Sequence, residues 1–179
     1  MAQFDERLSP EDQEFLKAKS DALRLLSFSA RSIKELREKL KAKRYLEQAI
    51  DRAVGVLEKQ GLMDDSKFAK LYAESRVYHR PTGKRQLEMD LKKKGVSTFV
   101  IRETVDNLKD YDEKGMVREL AKKRLKSMTG IPKEKKKTRL YGFLKRRGFG
   151  NDAIFPVMDE LLKASAIEDL EMKENSSED

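Results

Sequence analysis

An all-α chain of three tandem three-helix repeats, each helix-turn-helix-like and together an elongated curved array, is the architecture this sequence predicts. Three observations lead there. The composition is 38% hydrophobic and 40% charged with nine glycines, four prolines and no tryptophan or cysteine, and its mean hydropathy is −0.77. That mixture suits long solvated helices around several small cores, since one thick core would need more apolar residues. The apolar residues recur at helical spacing, and the whole pattern returns at a constant offset. Capping residues stand at the ends of the periodic segments.

Three segments set the register: Ser32 to Leu40, Gly83 to Leu91 and Lys136 to Leu144. Leu36, Leu87 and Leu140 coincide, as do Leu40, Leu91 and Leu144, each pair being i, i+4 neighbours on one helix face. Every segment then enters a basic cluster. After the turn Ile50, Ile101 and Ile154 align, then Val54, Val105 and Met158, then Leu57, Leu108 and Leu161. The offset is 51 residues between the first two copies and 53 between the next two, constant across both helices. A fixed offset over that length is a repeat and not a coincidence of apolar residues.

The elements follow in order. Residues 1–15 form an acidic segment, partly helical, because Ser9-Pro10-Glu11-Asp12 reads as a separate helix start that adds a helix near 10–20. Repeat one covers 16–60, opening with a helix from Leu16 to Phe28. Ser32 with Glu35 reads as a capping box for its second helix. Repeat two covers 61–110, opening with Asp65 to His79, whose inner face is Phe68, Leu71, Tyr72 and Ser75. Repeat three covers 111–164, opening with Glu113 to Met128, and Pro132 suits the first turn of its second helix. Gly95 and Gly148 occupy the slot where a helix end takes positive φ. Arg44 fills that slot in repeat one, so its turn is expected to be strained or differently built. Ser97 and Asn151 read as N-caps. Residues 165–179 form an acidic tail with little to pack, expected to be disordered.

Several chemistries are absent from the residue vocabulary. Without cysteine there is no disulfide, thiolate metal site or Cys nucleophile. No apolar run is long enough for a membrane span, and the first residues resemble no secretory signal, so a soluble cytoplasmic protein is expected. The single histidine, His79, has no second histidine for a metal pair. Thr82-Gly83-Lys84 is only superficially like a phosphate loop, because Tyr78 stands where the earlier glycine belongs and Arg85 follows the lysine. Asp64-Asp65 reads as an N-cap and its neighbour. No metal, cofactor cradle, nucleophile or general base emerges, and an enzyme is not expected.

Charge is the sharpest functional signal. The chain's net charge is +8, but residues 1–15 sum to −4 and 165–179 to −5, which leaves +17 on the body. Such a body suits a polyanion, nucleic acid before membrane. The densest run, 122–147, holds twelve cations against Glu134 alone. The candidate contact residues are Lys122, Lys123, Arg124, Lys135, Lys136, Lys137, Arg139, Lys145, Arg146 and Arg147, with a second cluster of Lys84, Arg85, Lys92, Lys93 and Lys94. The third helices carry Asp106, Asp110, Asp159 and Glu160 and lack a face that reads bases. Backbone tracking without sequence readout is expected.

The chain resembles the RecX family, bacterial regulators of the RecA recombinase. The resemblance is carried by Arg31-Ser32-xx-Glu35-Leu36-xxx-Leu40, Gly61-Leu62-Met63-Asp64-Asp65-xx-Phe68-Ala69, Leu91-xx-Lys94-Gly95-Val96 and Arg147-Gly148-Phe149, across about residues 22–162. Arg44 departs from the family's turn glycine, and Met63 from its usual leucine. The resemblance implies a monomeric, non-enzymatic regulator that binds RecA, both monomer and filament on single-stranded DNA. It further implies lowered ATPase, strand-exchange and coprotease activities, and a place in recombination, DNA repair and the SOS response. A DNA-binding protein acting without a recombinase, and a helical adaptor for a protein partner, are the rival readings.

Overall fold

A helix begins where a short polar side chain can serve its unpartnered first amides. In the computed structural model, which describes residues 8–108 and 111–175 and side chains as far as 164, the first helix begins at such a residue. Ser9 Oγ accepts from the Asp12 amide at 3.1 Å and Pro10 occupies the first helical position. Helix α1 (Pro10–Phe28) therefore runs unbroken, and the two helices expected over 10–28 are one. There follow α2 (Ile33–Ala42), α3 (Glu47–Lys59), α4 (Asp65–His79), α5 (Lys84–Lys93), α6 (Thr98–Asp106), α7 (Glu113–Lys126), α8 (Lys133–Arg146) and α9 (Asn151–Asn175). The described residues contain no strand, and none of their helices is long and apolar enough to cross a membrane.

The caps explain most boundaries. Ser32 and Glu35 form both halves of the capping box on α2, and Ser97 Oγ accepts from the Val100 amide to start α6. Asp64 caps α4 through the amides of Ser66 and Lys67. Two expectations shift. Asn151 is the first residue of α9, its side-chain oxygen taking the Tyr141 hydroxyl at 3.3 Å, while the Gly150 carbonyl receives the first turn. Pro132 sits at the N-cap of α8, one residue before the first turn. Helix α9 continues past Ala164 to Asn175. Residues 176–179 of the expected tail, and 1–7 of the acidic segment, lie outside the described residues.

The middle helix of each repeat ends in one motif. Arg44, Gly95 and Gly148 have φ of 67°, 83° and 82°. The amide three residues past each helix end bonds five residues back, Tyr45 to Leu40, Val96 to Leu91 and Phe149 to Leu144. This is the Schellman closure, with an apolar residue folding back over the last turn.

Packing follows the register. Leu36, Leu87, Leu140, Leu40, Leu91 and Leu144 are all fully buried, and so are the aligned Ile50 and Ile154. Ile101, Val54, Val105 and Met158 are also buried. The last aligned trio departs: Leu57 is buried, whereas Leu108 lies beyond the end of α6 and is half-buried, and Leu161 yields its core place to Leu162. Along α4 the buried side chains are Phe68, Ala69 and Ala73, while Leu71 is 56% exposed and Ser75 is exposed. The small alanines allow close approach on the face next to the one expected.

The chain divides into two compact units that do not coincide with the repeats. One comprises Met1–Glu74 and Asp90–Asn107, the other Ser75–Met89 and Leu108–Asp179, so α4 and α5 contribute residues to both. In the first, α1, α2 and α3 close around Ala22, Leu36, Leu40, Ile50, Val54, Leu57 and Met63, and Ala18, Ala49 and Ala53 bring α1 against α3. In the second, α7, α8 and α9 close around Val117, Ala121, Leu140, Leu144, Phe149, Ile154 and Met158.

Candidate functional site

Within each unit, one repeat's middle helix begins where the next repeat's middle helix ends. In the first unit Ser32 Oγ donates to the Lys94 carbonyl at 2.6 Å, and Lys34 Nζ to the Lys93 carbonyl at 3.1 Å. In the second the Gly83 amide donates to the Arg147 carbonyl at 2.9 Å. Gly83 stands 51 residues after Ser32 and Arg147 stands 53 after Lys94, the offsets of the core leucines. The joint is repeated along with the fold. A Cβ on Gly83 would collide with the Gly148 carbonyl, which is why this position is glycine. The Thr82-Gly83-Lys84 turn is thus committed to packing, with the Thr82 carbonyl also taking the Tyr111 hydroxyl at 2.9 Å.

This joint sorts the candidate cations. Lys94 is turned inward: Nζ pairs with Glu35 at 2.5 Å and lies 5.6 and 5.0 Å from the ring centres of Phe68 and Tyr72. Burial pushes the Glu35 carboxyl up, but the Lys94 ammonium and the Ser32 amide outweigh it and hold the group below the usual range. Arg147 Nη1 donates to the Pro81 carbonyl at 3.0 Å, and its guanidinium covers Phe143 at 5.0 Å. Burial and the neighbouring Arg80 lower its pKa. Arg124 covers the same Phe143 ring at 5.5 Å. Lys84 lies 5.5 Å from the Tyr111 ring and near the Glu113 carboxylate, whose pKa burial raises against the pull of the Gly150 amide and Lys84. Lys122 pairs with Glu119 at 3.8 Å. Each of these cations has a partner within its own unit.

The remaining candidates stay open. Lys123, Lys135, Lys137, Arg139, Lys145 and Arg146 make no ion pair among the described residues, nor do Arg85, Lys92 and Lys93. Lys136 is half-buried and has partners of its own. On α8 the inward line is Leu140 and Leu144, which puts Lys135, Arg139, Gly142 and Arg146 at i, i+4, i+7 and i+11 on the opposite face. Helix α8 carries seven cations against Glu134. Repeat one contrasts with it, because Arg37 pairs with Glu47 at 3.2 Å and with Asp51, Lys41 with Glu47 at 2.9 Å, and Lys43 with Asp21 at 2.6 Å. Arg37, Lys41 and Lys43 of the first repeat are thus neutralised internally, while its Lys39 and Lys59, like the open cations of α8, make no ion pair among the described residues. Among the described residues no group of His, Asp or Glu is placed to hold a metal.

Asp65 had more to it than the sequence suggested. Its Oδ1 accepts from the Ile33 amide at 2.9 Å, joining the start of α4 to the start of α2, and burial raises its pKa. The signal was the acidic pair itself, since one aspartate suffices to cap a helix.

Comparison with known proteins follows the same three-part division. RecX family models match in succession, the first three-helix domain at residues 18–57, the second at 64–105 and the third at 112–158. The regulatory protein RecX of Chlorobium phaeobacteroides (strain BS1) is 35% identical over 153 residues, which is 86% of this chain and 99% of the relative. That of Amycolatopsis mediterranei (strain U-32) is 32% identical over 154 residues, 86% and 88% of the two chains. The crystal structure of RecX from Lactobacillus salivarius superposes with a TM-score of 0.72 at 23% identity, covering 84% of this chain and 97% of that one. A further crystal structure of regulatory protein RecX gives 0.76 at 20% identity, covering 89% and 82%. At those identities the two structures speak for the fold alone. The domain matches fall on the three helical repeats in order, the relatives above 30% identity span most of their own length, and the chain belongs to the RecX family.

Proposed function

We propose that this protein regulates RecA by binding it and its filament on single-stranded DNA, and that it lowers the filament's ATPase, strand-exchange and coprotease activities. Membership of a family of regulatory proteins supports the regulatory part. The observation that carries the contact with the nucleoprotein filament is the open cationic face of α8, where Lys135, Arg139 and Arg146 make no ion pair among the described residues. Cations without internal partners can neutralise phosphates and release counterions at no cost in broken ion pairs. The exposed Arg85, Lys92 and Lys93 add a second contact region on α5. Such contacts supply affinity and speed of encounter without sequence readout. A regulator that acts by occupying a filament has no need of a reaction centre.

The test is a titration of the protein into RecA on single-stranded DNA, following ATP hydrolysis and filament length. Inhibition at equimolar protein is expected, and its absence sinks the proposal. The triple variant Lys135→Gln, Arg139→Gln, Arg146→Gln should inhibit more weakly. Its log–log salt slope for single-stranded DNA should fall by about 2, at about 0.7 per lost phosphate contact. Unchanged inhibition and slope would remove α8 from the contact. A protein that bound bare DNA as tightly as filament, without inhibition, would be a DNA-binding protein independent of the recombinase.

A further inference from the structure

We infer that the third repeat carries a nucleobase-stacking platform, formed by Tyr141 and Phe155 with Lys137 and Lys145 beside it, that takes bases of single-stranded nucleic acid. The two rings are nearly parallel, 6° apart with centres at 5.7 Å, an offset stack across α8 and α9. The Tyr141 hydroxyl donates to Asn151 Oδ1 at 3.3 Å and fixes that ring. Phe155 is 47% exposed, although its neighbours Ala153, Ile154, Val157 and Met158 are buried in the core of the unit. Its helix is therefore rigidly seated, and the phenylalanine is presented outward from a firm base.

Charge complementarity selects the occupant. Lys137 and Lys145 stand four residues before and after Tyr141, in one line along α8, and neither has an ion-pair partner among the described residues. The acids near the platform, Asp152 and Asp159, lie on α9 three residues before and four after Phe155. The arrangement is polar: phosphates are drawn to the α8 lysines and repelled from α9, so a strand along α8 turns its bases toward Phe155. The other strongly exposed aromatics differ. Phe28, Tyr78 and Phe99 stack on no second ring among the described residues. Stacking on an aromatic face is open to every base, but only where the base is out of a duplex.

This inference rests on the reading that the third repeat faces nucleic acid and adds that it touches bases as well as phosphates. The experiment compares the full-length protein's affinity for a labelled 20-nucleotide thymidine strand and for an abasic strand with the same phosphates, by fluorescence anisotropy at fixed salt. The base-bearing strand should bind about tenfold tighter, the loss typical of one stacked base. Phe155→Leu, at an exposed position with the fold checked by circular dichroism, should bring the two strands to equal affinity and leave duplex binding unchanged. Lys137→Gln with Lys145→Gln should weaken both strands equally. Equal binding of the two strands by the unaltered protein, or a preference that survives Phe155→Leu, overturns the platform. Binding to neither strand overturns it as well, while inhibition of RecA by the same preparation would leave the regulatory reading standing. A base preference abolished by Phe155→Leu, in a protein without effect on RecA, upholds the platform and overturns the regulation.

Discussion

Arg44 shows how far a single residue's preference bends to its neighbours. It holds φ of 67° in the slot that Gly95 and Gly148 fill at 83° and 82°, with the same closing hydrogen bonds. The left-handed conformation costs a residue with a Cβ about 1–2 kcal/mol, less than the flanking closure gains by keeping Leu40 fully buried under Tyr45. Arg44→Gly is therefore expected to stabilise the protein by about 1 kcal/mol, read as a higher urea midpoint with an unchanged m-value. The reverse holds at the other two slots. Gly148→Ala should cost more than Gly95→Ala, because its Cβ would meet the Gln86 amide nitrogen at 2.5 Å, while at Gly95 the obstacle is the Lys34 side chain at 2.7 Å. A loss of stability in Arg44→Gly would mean that the arginine side chain does something its geometry does not reveal. The sequence placed this slot by register alone, but left open whether the turn would strain or rebuild. Register is written in spacing, whereas that choice is a balance of small energies.

At the scale of elements, the repeated joint between middle helices decides which cations are free. Lys94 and Arg147 sit in basic runs and look like phosphate ligands in the sequence. The structure gives the first to Glu35 and the second to the Pro81 carbonyl. These partners lie 59 and 66 residues away, and no periodic pattern reaches across such gaps. The legible hint was that both residues precede the turn glycine at equivalent positions. The helices themselves were readable, with the boundaries of α4 falling at Asp65 and His79 as expected, because capping and apolar spacing act locally. The inner face of α4 was not, since alanines signal close approach only once a partner helix is present. Lys94→Met should cost about 1–3 kcal/mol at neutral pH by leaving Glu35 half-buried and unpaired. Glu35 has a depressed pKa in the folded state, so its pairing stabilises above the ordinary glutamate range and is lost as pH falls through the depressed value. The difference between Lys94→Met and the unaltered protein should accordingly shrink on acidification. A penalty constant from pH 7 to pH 3 would show that Lys94 acts through its stacking on Phe68 and Tyr72 instead.

Across the whole chain, charge is segregated more sharply than the net +8 suggests, with acidic ends and a body in which Lys135, Arg139 and Arg146 of α8 make no ion pair among the described residues. Two different electrostatic effects should follow, and salt separates them. On the proposed reading the α8 cations should act by contact, through counterion release, and persist as a salt slope. The six acids of residues 165–179 act on an approaching polyanion through the overall field, which fades beyond about 10 Å at 0.1 M salt. Neutralising Glu168, Asp169, Glu171 and Glu174 as amides moves the net charge from +8 to +12 without shortening the chain. The association rate with single-stranded DNA should then rise several-fold at low salt, as stopped-flow anisotropy would measure, and return to the unaltered value near 0.3 M, where the Debye length falls to roughly 5–6 Å. The dissociation rate should stay the same at both. A slower dissociation that survived high salt would point elsewhere: the acidic segment would then be a direct competitor for the α8 cations, a short-range ion pair that salt screens poorly, and the chain would carry its own inhibitor of nucleic-acid binding.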